Sequence, residues 1–203
     1  MKYQSLNHNA KDVSFLDAVR RGLAPDRGLY FPSKIPKLEE SFIKNIHKYS
    51  DHEIAYRVIQ PYVGKDIPNE RLKNIVQETL NFDFPIVEIT NTIATLELFQ
   101  GPTLAFKDVG ARFMARCLAY ANETQKKENL TVLVATSGDT GGAVADGFYK
   151  VKGINVVILY PKGKVSEIQE KQLTTLGHNI TALEVDGTFD DCQDMVKSAF
   201  TDT

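Results

Sequence analysis

The chain has 203 residues, of which 42% are apolar and 25% are charged, so it has enough apolar side chains for a folded core and is not expected to be disordered. Its formal net charge of −2 lacks the basic excess that binding to a phosphate backbone requires, so we expect no nucleic-acid partner. No apolar run reaches the length of a membrane span and the first residues lack a signal-peptide core, so we expect a cytoplasmic protein with no membrane partner. The two cysteines and four histidines show no metal-ligand spacing, so no metal site is expected.

Residues 1–82 are predicted to form a mostly helical N-terminal domain. Ser14 and Asp17 have the spacing of a helix cap and its partner. Further helical patterns lie near residues 39–49, 51–63 and 68–81. The second of these is expected to begin at Asp51 as its cap and to bury an apolar stripe that includes Val58.

Residues 83–203 are predicted to form a partial α/β domain. Two extended patterns, at residues 86–89 and 94–99, predict a hairpin. Strands are then predicted at residues 130–135, 154–160 and 180–185, each followed by a helical pattern. The helix after the second strand is expected to be capped at Ser166 with Gln169 as the capping partner. This alternation predicts right-handed βαβ crossovers and a parallel sheet flanked by helices, which places the chain in the α/β class. The run at 154–160 is apolar apart from Asn155, so we expect it to be buried on both faces.

Lys107 stands between a loop that contains glycine and proline, residues 101–106, and an amphipathic helical pattern. The expected apolar face of that helix consists of Val109, Phe113 and Cys117. Asp108 could pair with Arg112 one turn further on. Phe106 and its apolar neighbours are expected to shield the Lys107 amine from water, as suits a nucleophilic lysine. The same pattern also fits an exposed lysine at a helix start that has no special role.

A second segment, residues 136–142 with the sequence TSGDTGG, follows the strand at 130–135 and opens the next helix. Its glycines allow a tight turn with outward N–H groups, the helix start favours an anion, and the hydroxyls add hydrogen-bond donors. These features favour a site for a carboxylate or phosphate at the sheet edge where ligands usually bind. A plain strand-to-helix turn, in which Ser137 or Asp139 caps the helix, remains an open alternative.

Together the two segments resemble the tryptophan-synthase-like group of pyridoxal-phosphate enzymes, whose fold is called fold type II. Within that group the sequence is similar to the threonine synthases. The similarity is carried by the segments GPTLAFKD, TSGDTGG, LYPKGK, IQEK and GLAPDRGLYFP, and it extends over the whole chain. Threonine synthases are longer, and their loop for the cofactor phosphate is expected beyond Thr203. The resemblance therefore implies a truncated chain that is inactive by itself.

The resemblance also implies an activity. A threonine synthase is a carbon–oxygen lyase of amino-acid biosynthesis that converts O-phospho-L-homoserine and water to L-threonine and phosphate, with pyridoxal 5′-phosphate as cofactor. Lys107 would hold the cofactor as a Schiff base and move protons at the substrate carbons. Asp139 would contact the cofactor's 3′-oxygen, where one of the two groups must keep a proton, and Phe106 would pack against its ring. The residues implied to hold the substrate carboxylate are Thr136, Ser137, Gly138 and Thr140.

Two alternatives to this activity remain open. A threonine-synthase-like phospho-lyase would use the same lysine and release phosphate without making threonine. A non-catalytic α/β module would bind an anion at residues 136–142, and Lys107 would then be an ordinary lysine.

Overall fold

The structure is a computed structural model that describes residues 1–125 and 129–200. The chain divides into two compact units, Met1–Asn81 and Phe82–Thr203. None of the helices in the described ranges combines the length and the apolar character needed to cross a lipid bilayer.

The first unit is mainly helical. Its elements in chain order are β1 (Tyr3–Ser5), α1 (Phe15–Arg21), β2 (Tyr30–Pro32), α2 (Glu40–Lys44), a 3-10 turn (Ile46–Lys48), α3 (Asp51–Val63) and α4 (Asn69–Thr79). β1 and β2 pair antiparallel. Ser14 Oγ accepts a hydrogen bond from the Asp17 backbone N–H at 3.1 Å, which confirms the predicted cap of α1. Buried apolar side chains from several of these elements form the core, among them Phe15, Phe42, Val63, Leu72 and Ile75.

Helix α3 differs from its prediction in two ways. Its cap is Ser50, whose Oγ accepts from the Glu53 backbone N–H at 3.3 Å, so the assignment to Asp51 was wrong by one residue. A serine in extended backbone can offer its hydroxyl to the third residue of the helix, which a residue already inside the helix cannot do. Val58 is 38% exposed, so its predicted burial was wrong. Since α3 packs on α1 and α4, residues that face away from both remain in water.

The second unit begins with the predicted hairpin. β3 (Ile86–Thr90) and β4 (Ile93–Leu96) pair antiparallel, although β4 ends earlier than the pattern at 94–99 indicated. All residues of both strands are exposed.

A parallel sheet confirms the predicted alternation of strands and helices. Its strands β5 (Leu130–Ala135), β6 (Ile154–Pro161) and β7 (Ile180–Val185) lie in that order. The helices that follow them are α6 (Asp139–Phe148), α7 (Glu167–Thr174) and α8 (Phe189–Ala199). On the central strand, Ile154, Val156, Ile158 and Tyr160 are buried, whereas Asn155 between them is exposed and Val157 is half-buried. The predicted burial of β6 on both faces was therefore wrong, and the buried face is the one that carries Ile154 and Val156.

Helix α5 (Lys107–Gln125) precedes this sheet and packs against α6. Its most buried face consists of Asp108, Ala111, Ala115, Leu118 and Ala121. Of the predicted face, Cys117 is buried but Val109 and Phe113 are only half-buried, so that prediction was largely wrong. The reason is the neighbouring helix: small alanine side chains let two helices approach closely, so the alanine face is the one that packs.

Candidate active site

Lys107 is the first residue of α5 and is half-buried. Its Nζ lies 5.8 Å from the centroid of the Phe106 ring. Phe106 is 62% exposed and Leu104 is 70% exposed, so both side chains are largely in water, and the expected shielding of the Lys107 amine stays a prediction. Within the residues that the structure describes, no carboxylate lies within ion-pair distance of Lys107 Nζ.

The loop before Lys107 is held by a buried carboxylate. Asp108 is completely buried and accepts hydrogen bonds from the Thr103 backbone N–H, at 3.0 Å, and from the Thr103 hydroxyl. Between them, Leu104 has a φ of 60°, a left-handed conformation that is uncommon for residues other than glycine. Strained backbone of this kind persists only where its surroundings hold it. The Asp108 carboxylate thus ties the loop to the start of α5.

A contact between charged side chains joins α5 to α6. Arg112 Nη1 lies 3.6 Å from Asp146 Oδ2, and the Arg112 side chain is only 12% exposed. Burial raises the pKa of the Asp146 carboxyl, and the Arg112 charge partly opposes that effect. The sequence suggested Asp108 as the partner of Arg112, whereas these contacts pair Asp108 with Thr103 and place Arg112 beside Asp146.

Residues 136–142 form the turn between β5 and α6, and Thr136 braces that turn. Thr136 is 1% exposed. Its Oγ1 accepts from the backbone N–H groups of Gly138, at 3.1 Å, and Gly141, at 2.8 Å, and it donates to the Gly138 carbonyl at 3.1 Å. Its hydroxyl is therefore fully used inside the turn, while Ser137 and Thr140 are exposed.

The start of α6 presents unpaired donors. In the described part of the chain, the structure records no protein acceptor for the backbone N–H groups of Ser137, Asp139 and Thr140. These groups lie at the positive end of a helix dipole, and two of the three residues also carry hydroxyls. The Gly138 N–H differs, because Thr136 already accepts from it. Such a set of donors suits a carboxylate or phosphate group.

Helix α7 contacts both segments, which the sequence did not predict. Gln169 Nε2 donates to Asp139 Oδ1 at 2.8 Å, and Gln172 Nε2 donates to the Thr103 carbonyl at 3.4 Å. The sequence pattern had indicated only that Gln169 is the capping partner of Ser166. That cap is present, but a contact between side chains 30 residues apart leaves no local signal.

Gly141 explains how α7 comes so close to α6. A Cβ atom at this position would lie 2.9 Å from Leu173 Cδ2 of α7 and 2.5 Å from Thr136 Cγ2. Both distances are too short for a real side chain, so glycine is required there. The glycine-rich segment thus serves helix packing as well as the turn.

Two family models match the chain. The model described as "Threonine synthase N terminus" covers residues 2–80. The model described as "Pyridoxal-phosphate dependent enzyme" covers residues 85–203, which includes Lys107 and the whole turn from β5 to α6.

Known proteins match along the whole chain. Threonine synthase of Serratia marcescens is 44% identical, and the match covers 100% of this chain and 46% of that protein. The crystal structure of threonine synthase from Escherichia coli has a TM-score of 0.91 at 42% identity and covers 99% of this chain. That of threonine synthase from Brucella melitensis with bound pyridoxal phosphate has a TM-score of 0.90 at 39% identity. The match covers 46% and 45% of these two solved chains. The chain thus spans about half the length of the relatives that it matches.

Proposed function

Because the chain belongs to the family of pyridoxal-phosphate-dependent enzymes, we propose that it is the N-terminal portion of a threonine synthase, which converts O-phospho-L-homoserine and water to L-threonine and phosphate. The observation that carries this proposal is the match to threonine synthases along the whole chain, including both segments of the candidate site. Phosphate leaves by cleavage of a carbon–oxygen bond, so the enzyme is a lyase that serves threonine biosynthesis.

The residues of the candidate site fit pyridoxal phosphate as the cofactor, which the Brucella melitensis relative binds. When bound, the cofactor supplies an electron sink for negative charge on the substrate carbons. Lys107 would hold it through a covalent C=N bond from Nζ, for which this amine has no competing ion pair in the described residues. Asp139 would contact its 3′-oxygen and Phe106 would pack against its ring.

Lys107 would also be the acid and base of the reaction. Once the substrate amine has displaced it, Lys107 Nζ would take the proton from the substrate α-carbon, lose it to solvent, and then take the proton from the β-carbon. The γ-phosphate then leaves and takes a proton from solvent, and Nζ returns the β-proton to the γ-carbon. Water adds its oxygen at the β-carbon, and Nζ carries the remaining proton of that water to the α-carbon. A single flexible amine at the start of α5 can reach several neighbouring carbons of one small substrate.

The turn from β5 to α6 would hold the substrate carboxylate. Ser137 and Thr140 combine exposed hydroxyls with backbone N–H groups that lack a recorded protein acceptor in the described chain. Gly138 would line the site without using its N–H, which Thr136 already holds. Thr136 would contribute by bracing the turn rather than by touching the substrate, since its hydroxyl is buried and fully paired.

The first unit would be a mostly helical N-terminal domain, residues 1–82, and residues 83–203 would be part of the catalytic domain. The substrate would be a small molecule, and a cytoplasmic location would suit an enzyme of amino-acid biosynthesis.

Absorption spectroscopy tests the proposed function. The full-length protein should turn yellow when pyridoxal phosphate is added, and borohydride should bleach the colour and leave the cofactor attached to Lys107, which peptide mass spectrometry identifies. Addition of O-phospho-L-homoserine should then yield phosphate and threonine in equal amounts. Absence of any lysine-bound cofactor would contradict the assignment, and phosphate release without threonine would point to a phospho-lyase instead.

A further inference from the structure

We propose that Gln169 is a positioning residue that orients the Asp139 carboxyl group toward the cofactor. The inference deepens the proposed function, on which it rests, and starts from the hydrogen bond between Gln169 Nε2 and Asp139 Oδ1, which is 2.8 Å long. Gln169 lies on α7 and Asp139 at the start of α6.

The polarity of this hydrogen bond is determined by the other end of the glutamine. Gln169 Oε1 accepts from the Ser166 backbone N–H at 3.2 Å and lies 3.1 Å from Ser166 Oγ. A backbone N–H can only donate, so the atom that faces it must be the amide oxygen. The amide NH₂ group must therefore face Asp139, and Asp139 Oδ1 must be the acceptor.

This polarity constrains the proton at the proposed site. Two anions cannot lie side by side without a proton between them, so a carboxyl group beside the cofactor's 3′-oxygen must share one with it. Oδ1 of Asp139 already accepts from Gln169, so Oδ2 has more acceptor capacity left for the shared proton. Gln169 thus favours Oδ2 as the oxygen that faces the cofactor.

The position of Gln169 is itself constrained by packing. The backbone just before α6 lies against the Gln169 side-chain amide, since a Cβ atom at Gly138 would lie 2.5 Å from Gln169 Nε2. Gly138 also has a φ of 151°, which disfavours any residue with a side chain. One turn further along α7, the buried Leu173 side chain holds this helix against α6. The glutamine therefore has little freedom to release Asp139.

Gln169→Glu in the full-length protein separates the two roles of this side chain. A glutamate at the third helical position still accepts from Ser166 in a capping box, so the helix start is kept. It has no N–H to donate to Asp139 and places a second negative charge beside it. Thr174→Glu is the matched control, because it adds the same charge on an exposed position of the same helix.

The expected result has three parts. Gln169→Glu should change the visible absorption band of the lysine-bound cofactor and lower kcat about tenfold or more, as for loss of a hydrogen bond to a charged group. In the Asp139→Asn background, Gln169→Glu should have a much smaller effect than in the parent protein, because the introduced asparagine amide can donate to the introduced glutamate and restore the bond with reversed polarity. Thr174→Glu should leave the absorption band and kcat unchanged.

The thermal stability of the cofactor-free protein tests the same contact independently of the cofactor. There Gln169→Glu should lower Tm by a few degrees, and the double variant should recover that loss. If Gln169→Glu leaves the absorption band and kcat as in the parent protein, or has the same effect in the Asp139→Asn background, the positioning role is refuted. If the parent protein binds no cofactor, the proposed function fails and so does the positioning role toward a cofactor, whereas recovery of Tm would still establish the contact.

Discussion

Two loops carry the proposed chemistry, and each is held by one buried polar side chain of a different kind. The loop before Lys107 is tied by the Asp108 carboxylate, and the turn from β5 to α6 is tied by the Thr136 hydroxyl. Both side chains are almost completely buried. The residues proposed to meet the ligands, such as Ser137 and Thr140, are exposed.

Neighbouring residues of one motif thus divide into holders, whose buried side chains tie the loop, and presenters, whose groups face the ligand. The two holders, Asp108 and Thr136, should also differ in strength. A hydrogen bond to a charged group contributes about 1.5–3 kcal/mol net and a neutral one about 0.5–1.5 kcal/mol. The carboxylate should therefore stabilise its loop more than the hydroxyl does. The presenting residues should matter for ligands and hardly at all for stability.

The largest expected effect belongs to a presenting residue. Lys107→Ala in the full-length protein should lower threonine formation by about 10³-fold or more, since it removes both the covalent link and the proton carrier. Its Tm without cofactor should stay near that of the parent protein, because the recorded contact of Nζ is a distant one with the Phe106 ring. Threonine production close to the parent rate would show that Lys107 is not a presenter and would contradict the division into holders and presenters.

Asp108→Ala should have the largest effect on stability. It removes two hydrogen bonds to a buried carboxylate and leaves the Thr103 N–H without its acceptor, so the free energy of unfolding should fall by about 3 kcal/mol. Urea denaturation measures the change. Asp194→Ala, at an exposed ion pair with Lys197, is the matched control and should change stability by less than about 1 kcal/mol. Equal effects of the two substitutions would show that Asp108 is not a holder.

Thr136→Val should destabilise the protein less, by about 2 kcal/mol. The substitution keeps the shape of the side chain but leaves the Gly138 N–H without its acceptor and leaves the Gly141 N–H with the Gly138 carbonyl alone, at 3.0 Å. The same denaturation experiment compares it with Thr174→Val, whose hydroxyl is bonded to the Glu170 carbonyl on the exposed side of α7. A loss larger than that of Asp108→Ala would reverse the proposed ranking.

Thr140→Val should have the smallest effect on stability, within about 0.5 kcal/mol, because the side chain is exposed. In the full-length protein it should raise KM for O-phospho-L-homoserine about tenfold through the loss of one donor to the carboxylate. The dissociation constant of pyridoxal phosphate should change little. Loss of cofactor affinity with an unchanged KM would assign Thr140 to the cofactor rather than to the substrate.

Much of the fold follows from patterns within the sequence. The order of strands and helices in the second unit, the caps at Ser14 and Ser166, and the start of α5 at Lys107 were all predicted correctly. These features depend on residues a few positions apart, where backbone geometry and hydrogen bonding act locally.

Other features depend on which element lies opposite. The apolar pattern of α5 favoured Val109 and Phe113, but α6 selects the alanine face, because only small side chains permit so close an approach. In the same way, the sequence predicted Asp139 as a ligand contact and Gln169 as the capping partner of Ser166. Only the packing of α7 against α6 brings Gln169 Nε2 to 2.8 Å from Asp139 Oδ1. The two residues are 30 positions apart in the sequence, so their contact depends on the tertiary fold and on no local backbone preference.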